Sequence, residues 1–338
     1  MIPAAALPFP HISPVLLDLP GPFAVRWYGL MYLVGFTIAY FLLLRLARRE
    51  RLELEPDQVS EVIWAAAIGV LVGGRIGYLL FYNPDAFLHP MEIIRIWEGG
   101  LSFHGGLIGT VLMLAWYGRR RGVPFLALGD MAVLAAPLGI MAVRISNFIN
   151  GELYGRITAS EVPWAMRFPS DPVGRTLLGA GGGTPEEVYR AVERAKAAGR
   201  WEEIVEQIPY RHPSQLYEAA VEGLLVFLVL WGLVWLARRM EWRLPTGTFG
   251  ALFLFLYGTG RMLVENYRQP DAQFTGPGDP LGTVLAGLTM GQLLSLGMIV
   301  GGVLVAALLL SGRTPRERAL PVRRGNAPGS AGRGEEAS

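Results

Sequence analysis

The chain has 338 residues, 52% of them hydrophobic and 17% charged, with no cysteine and a formal net charge of +2. That balance is far from an ordinary soluble domain, and the charge is too small to leave an electrostatic footprint for nucleic acid. Without thiols the chain can form no disulfide, no thiolate metal site and no covalent thiol intermediate of its own, so any thiol chemistry must use a partner's thiol.

The first fourteen residues, MIPAAALPFPHISP, lack the basic head and small-residue cleavage site of a signal peptide, so the first apolar stretch is expected to remain as an anchor. About 20 apolar residues cross a bilayer, and the hydropathy pattern predicts seven spans at 25–44, 59–81, 101–118, 126–147, 215–237, 246–266 and 286–311. The expected fold class is an all-α polytopic membrane protein with seven transmembrane helices. Segments 45–58, 119–121, 238–243 and the tail beyond Gly312 carry 4, 3, 3 and 6 basic residues, whereas the N-terminal arm, 82–100 and 267–287 carry one each. The positive-inside rule then puts the N-terminus outside and the C-terminus inside. The organisation expected is a membrane domain over 1–311, a small extracytoplasmic domain at 148–213 between spans four and five, and a disordered cytoplasmic tail at 312–338, rich in Arg, Pro, Gly and Ser. Within the insertion, Val188, Ala191, Val192 and Ala195 recur at helical spacing after the glycines at 179–183, which fits an amphipathic surface helix or a mobile arm.

Three arginines, Arg75, Arg144 and Arg261, fall inside spans two, four and six. An arginine near mid-span costs at least about 2.5 kcal/mol, so it normally faces a polar cavity or a partner, or snorkels to the interface. With these orientations all three lie in the outer third of their spans. Tyr28, His104, Glu218, Glu222 and Glu265 share that depth, which suggests a polar chamber at the level of the outer leaflet. Arg261 and Glu265 are four residues apart, so part of the charge can be neutralised within one helix. Arg75 is read either as a structural partner of Glu218 or Glu222 or as a third headgroup contact.

The planar donor fork of arginine matches a phosphodiester, and the ligand available at that depth is a lipid headgroup. Two such groups on neighbouring helices can stabilise the charge that builds up as a C–O bond to phosphate breaks. An ordinary imidazole titrates near pH 6.5, and His104 is the one histidine within a span, set in Gly99-Gly100-Leu101-Ser102-Phe103-His104-Gly105-Gly106. Those glycines allow close approach of backbone or substrate, or simple helix packing. Beyond Arg144, Asn147, Asn150 and Glu152 can read headgroup hydroxyls or satisfy the free carbonyls of a helix end.

Arg144 and the following Asn147-Phe148-Ile149-Asn150-Gly151-Glu152 run with Gly155 resemble the signature of the prolipoprotein diacylglyceryl transferase family. Arg26-Trp27-Tyr28-Gly29, Ser102 to Gly106, Arg211-His212-Pro213-Ser214-Gln215-Leu216-Tyr217-Glu218 and Tyr257-Gly258-x-x-Arg261 with Glu265 are similar to its other motifs, in the same order, over about residues 10–310. Val143 and Ser146 stand where that signature has smaller residues, and the segment from Gly174 to Tyr210 is long by comparison.

The resemblance implies transfer of the sn-1,2-diacylglyceryl group of phosphatidylglycerol to the lipobox cysteine of prolipoprotein signal peptides, in a bacterial inner membrane. The thioether product would be released with glycerol phosphate, and the partners would be these two substrates and membrane lipid. Arg144 and Arg261 are expected to hold the phosphodiester, with His104 helping to deprotonate the thiol unless the guanidinium field alone suffices. Tyr257 and Glu265 would orient Arg261. By the same similarity Asn147, Asn150, Glu152 and Gly155 shape the headgroup site, with Tyr28 in that site or in an interfacial aromatic belt. No metal-ligand cluster or nucleotide fingerprint stands out, so no cofactor is expected. A transporter would need paired half-structures or broken helices. An intramembrane protease would need a serine–histidine pair or two aspartates, and Ser102 lies too near His104 while Asp130 stands alone.

Overall fold

The computed structural model describes residues 7–20, 24–48, 54–84, 90–95, 100–181, 183–242, 244–270 and 281–311, so the tail expected at 312–338 lies outside the described residues. In chain order the elements are β1 (Val15–Asp18), β2 (Ala24–Arg26), α1 (Trp27–Ala47), α2 (Pro56–Tyr82), α3 (Pro90–Ile94), α4 (Phe103–Arg121) and α5 (Phe125–Ile149). There follow α6 (Pro172–Leu178), α7 (Pro185–Ala197), α8 (Trp201–Gln207), α9 (Ser214–Glu218), a π-helical turn (Ala219–Leu225), α10 (Val226–Arg239), α11 (Thr248–Val264), β3 (Thr283–Leu285), β4 (Leu288–Thr289) and α12 (Met290–Leu310). The chain is therefore a mostly helical, multi-pass membrane protein, with β1–β2 and β3–β4 as two short antiparallel hairpins that the hydropathy pattern does not announce.

Each expected span coincides with a helical segment. Five of these are long and apolar enough to cross a bilayer: Trp27–Ala47, Pro56–Leu80, Phe125–Ile149, Ser214–Arg239 and Met290–Leu310. α11 has 17 residues, and α4, with 19, ends in Arg119, Arg120 and Arg121, which dilutes its apolar face. Trp64, Leu112, Trp235 and Leu304 are exposed, the pattern of a helix surface solvated by hydrocarbon rather than water.

The chain forms two compact units. Among the described residues, one takes in those up to Phe41, Gly129–Leu233 and 247–311; the other takes in Leu42–Leu128 and Val234–Thr246.

In the second unit α2 and α4 meet along facing glycines. A Cβ on Gly73 would collide with the Gly105 carbonyl and Gly109 backbone, and one on Gly69 would lie 2.7 Å from Thr110 Cα. This is small-xxx-small packing, in which backbones approach because nothing stands between them. The glycines after His104 are thus spent on helix contact. Arg75 donates through Nε to the Ile93 carbonyl at 3.0 Å and through Nη1 to the Gly100 carbonyl at 3.1 Å, and its guanidinium lies 5.7 Å from the centre of the Tyr78 ring.

In the first unit α11 packs on α12, and α1 approaches α5 where a Cβ on Gly35 would stand 3.1 Å from Gly139 Cα. Asp130 does not stand idle: its carboxylate accepts from the Gly247 and Gly250 amides, each at 2.7 Å, and so closes the N-terminus of α11. The inserted segment is built on three short helices. All four apolar residues read along α7 (Val188, Ala191, Val192 and Ala195) are buried, which agrees with an amphipathic helix packed on the protein. Gly199, at φ +67°, lies between the end of α7 and the start of α8. Arg211 ties the segment down: it pairs with Asp171, donates to the Gly155 carbonyl at 3.1 Å and lies 4.8 Å from the Tyr154 ring centre.

Candidate functional site

The polar heart of the first unit is assembled around Glu218, whose side chain is 0% exposed. Helix α9 ends at this residue, and the π-helical turn that follows carries Glu222, also fully buried. Single π turns are uncommon and collect at functional sites. Here Gly223 in that turn lies against Met141 of α5, and Gly260 of α11 lies against Val221; a Cβ at either glycine would come within 2.8 Å of its neighbour. The three helical segments can therefore bring their charged side chains together.

Arg144 Nε of α5 stands 3.0 Å from Glu218 Oε2, and Arg261 Nη1 of α11 stands 2.5 Å from Glu218 Oε1. Arg268, just beyond α11, places Nη1 2.9 Å from the same Oε1. Arg261 also reaches Glu265 Oε2 at 2.6 Å, and the other oxygen of Glu265 accepts from Thr289 Oγ1 at 3.0 Å. Glu222 is held more loosely, 3.6 Å from Arg261 Nη1 and 4.0 Å from Arg144 Nη2, with the Tyr257 phenol facing it. Two guanidiniums from separate helices thus converge on one carboxylate. Each retains further N–H donors, because a guanidinium carries five, and each side chain keeps some exposure, 17% for Arg144 and 15% for Arg261.

A second polar knot follows directly in the chain. Asn147 and Asn150 donate to Glu152 Oε1 at 2.8 and 3.3 Å, while Gln215 donates to the Glu152 carbonyl at 2.6 Å. Of the two readings left open for this run, its side chains bind one another rather than the open carbonyls of α5. Tyr28 packs edge-on against Tyr32 at 5.3 Å and lies within electrostatic reach of Glu152 and Arg144. Gly155 is bridged to Arg268, and its amide donates to the His212 carbonyl at 2.8 Å; a Cβ there would strike the Tyr267 carbonyl and His212. Only glycine fits that crossing. The His212 imidazole, 3.0 Å from the Tyr217 hydroxyl, is shifted below its ordinary value by burial.

Of the residues singled out in the sequence, Tyr28, Arg144, Asn147, Asn150, Glu152, Gly155, Tyr257, Arg261 and Glu265 lie in this unit, and Arg144, Tyr257, Arg261 and Glu265 border one cluster. His104 and Arg75 belong to the other unit; His104 is exposed in the first turn of α4, two residues after Ser102, whose hydroxyl caps that helix by accepting from the Gly105 amide at 3.3 Å. The sequence reading missed Arg268 and Thr289 as members of the cluster and took Glu218 and Glu222 as charges at the right depth that could partner Arg75, not as partners of Arg144 and Arg261. The Glu218 position could have been found, since it closes the Arg211–Glu218 motif. Arg268 had no signal beyond being a loop cation.

The family model described as prolipoprotein diacylglyceryl transferase matches residues 14–308. Proteins named phosphatidylglycerol–prolipoprotein diacylglyceryl transferase are similar along nearly their whole lengths. The one from Aliivibrio fischeri is 43% identical over 300 residues, covering 88% of this chain and 90% of the relative. The one from Rhodospirillum centenum is 43% identical over 314 residues, covering 92% and 97%. That from Geobacter sulfurreducens is 42% identical over 302 residues, covering 89% and 96%. With the arginine cluster falling within the matched residues, the chain belongs to the prolipoprotein diacylglyceryl transferase family.

Proposed function

We propose that this protein moves the sn-1,2-diacylglyceryl group of phosphatidylglycerol onto the lipobox cysteine thiol of prolipoproteins, forming a thioether and releasing glycerol phosphate. The observation that carries the reading is the pair of guanidiniums from α5 and α11 drawn to one buried carboxylate. Such a pair suits a phosphodiester, because it binds the anion and stabilises the extra charge that the phosphate gains as its C–O bond breaks. Arg144 and Arg261 are assigned to the phosphate, and Tyr257 and Glu265 to orienting Arg261. Tyr28, Asn147, Asn150, Glu152 and Gly155 shape the headgroup site. His104 assists loss of the thiol proton.

The setting belongs to the same proposal. Seven spans, with the N-terminus outside and the C-terminus inside, would put residues 148–213 outside and the tail at 312–338 in the cytoplasm of a bacterial inner membrane. Purified protein mixed with phosphatidylglycerol and a lipobox peptide should increase the peptide mass by one diacylglyceryl group. A peptide with serine in place of cysteine should gain nothing. Phospholipid binding without any mass gain would replace the enzyme by a lipid-binding scaffold. For His104, a His104→Gln variant with full activity at every pH would remove its assignment as base.

A further inference from the structure

Glu222 has no part in the reaction as assigned above. Its side chain is fully buried, yet its guanidinium contacts are long, 3.6 Å to Arg261 and 4.0 Å to Arg144, and the Tyr257 phenol is its neutral hydrogen-bonding neighbour. Glu218 has three guanidinium contacts between 2.5 and 3.0 Å, and Glu265 has an arginine at 2.6 Å and a hydroxyl at 3.0 Å. The groups that face Glu222 are Arg144 from α5, Arg261 and Tyr257 from α11, and Glu218 on its own helical segment. It is the least compensated carboxylate in the cluster, and a buried ionised group so placed is costly.

The charges make this looseness consequential. Arg144, Arg261 and Arg268 set three positive charges against the three of Glu218, Glu222 and Glu265, so the ionised cluster is neutral. A phosphodiester adds one negative charge where burial of the partner groups weakens screening by water. We propose that Glu222 takes up one proton when a phosphodiester anion enters the Arg144–Arg261 pair, so that the cluster binds the anion without gaining net charge. The proposal rests on reading those arginines as the lipid-phosphate site. Glu222 acts through them as a positioning residue: its protonation frees guanidinium donors for the phosphate.

The test is calorimetric titration of short-chain phosphatidylglycerol into the full chain in detergent, repeated in buffers of different ionisation enthalpy to count protons taken up per lipid bound. Wild type should take up close to one proton at the pH of maximum uptake. Its affinity should weaken with rising pH by up to about tenfold per unit where one proton is linked. Glu222→Gln, which imitates the protonated carboxyl, should bind at least as tightly, take up none and show no such slope. Short-chain diacylglycerol, which lacks the anion, should produce no uptake with either protein. Lipid bound by wild type without proton uptake overturns the proposal and leaves the transferase reading intact. Uptake unchanged in Glu222→Gln overturns it equally. Failure of wild type both to bind phosphatidylglycerol and to modify the peptide overturns the transferase reading and this inference with it.

Discussion

Replacing Glu218 with glutamine keeps the shape of the side chain but removes the charge on which three guanidiniums converge. Hydrogen bonds to charged groups contribute about 1.5–3 kcal/mol each, so simple addition over the contacts at 3.0, 2.5 and 2.9 Å would overstate the loss. Arg261 keeps Glu265 at 2.6 Å, and the glutamine carbonyl can still accept from one arginine. Arg144 fares worst, because its remaining carboxylate is Glu222 at 4.0 Å. The expected destabilisation is about 3–5 kcal/mol, the range found when one partner of a buried pair is removed. Equilibrium unfolding in mixed micelles measures it, and Glu222→Gln should lose clearly less because its oxygens are loosely held. A double-mutant cycle with Arg268→Gln should show a coupling of at least about 1 kcal/mol. The reasoning is refuted if Glu218→Gln stays within about 1 kcal/mol of wild type or matches Glu222→Gln.

Gly155→Ala should abolish most transfer activity and destabilise the chain by about 1–3 kcal/mol, since its new methyl meets backbone on two sides; activity and unfolding assays at one temperature decide it. Gly109→Leu should separate α2 from α4, where Gly69 and Gly73 lie against the backbone of that helix, and a cysteine cross-link engineered across the pair should then fail to form. The Glu186 carboxyl is pushed upward by burial but held below its ordinary range by the stronger combined pull of Arg26, 2.6 Å away, and local hydrogen bonds. Its contribution is therefore present above the ordinary glutamate range near pH 4.3 and lost as pH falls through the lower folded value. Because Arg26 is half exposed, the effect is under about 1 kcal/mol. It should appear on acidification as lower amide protection in α7 relative to the intrinsic exchange rate at each pH, absent in Glu186→Gln.

Hydropathy located the helical segments well because burial in lipid leaves a long unbroken signal: the stretch read at 59–81 is α2, Pro56–Tyr82, extended by a proline at its first turn. The face of α7 was legible for the related reason that its four apolar residues repeat at helical spacing. Pairings distant in the chain leave no such trace. Arg268 reads as an ordinary loop cation until the chain folds it onto a carboxylate 50 residues earlier. The glycines beside His104 could be noticed, but not that Gly73 and Gly77 on another helix face Gly105. The π turn was likewise invisible, since AAVEGLL has the composition of any apolar helix.

That turn gives the length of its stretch a meaning separate from its residues. A π turn holds one residue more than the α turn it replaces, so deleting one residue between Ala219 and Leu225 would let the turn relax to ordinary pitch with both flanks near their present bearings. Glu218 and the helix from Val226 onward would keep their bearings, and the residues inside the turn would be re-aimed. When relatives are aligned here, a one-residue gap in this heptapeptide would signal a plain α turn, with the residues inside it re-aimed even if every acidic and basic residue were retained.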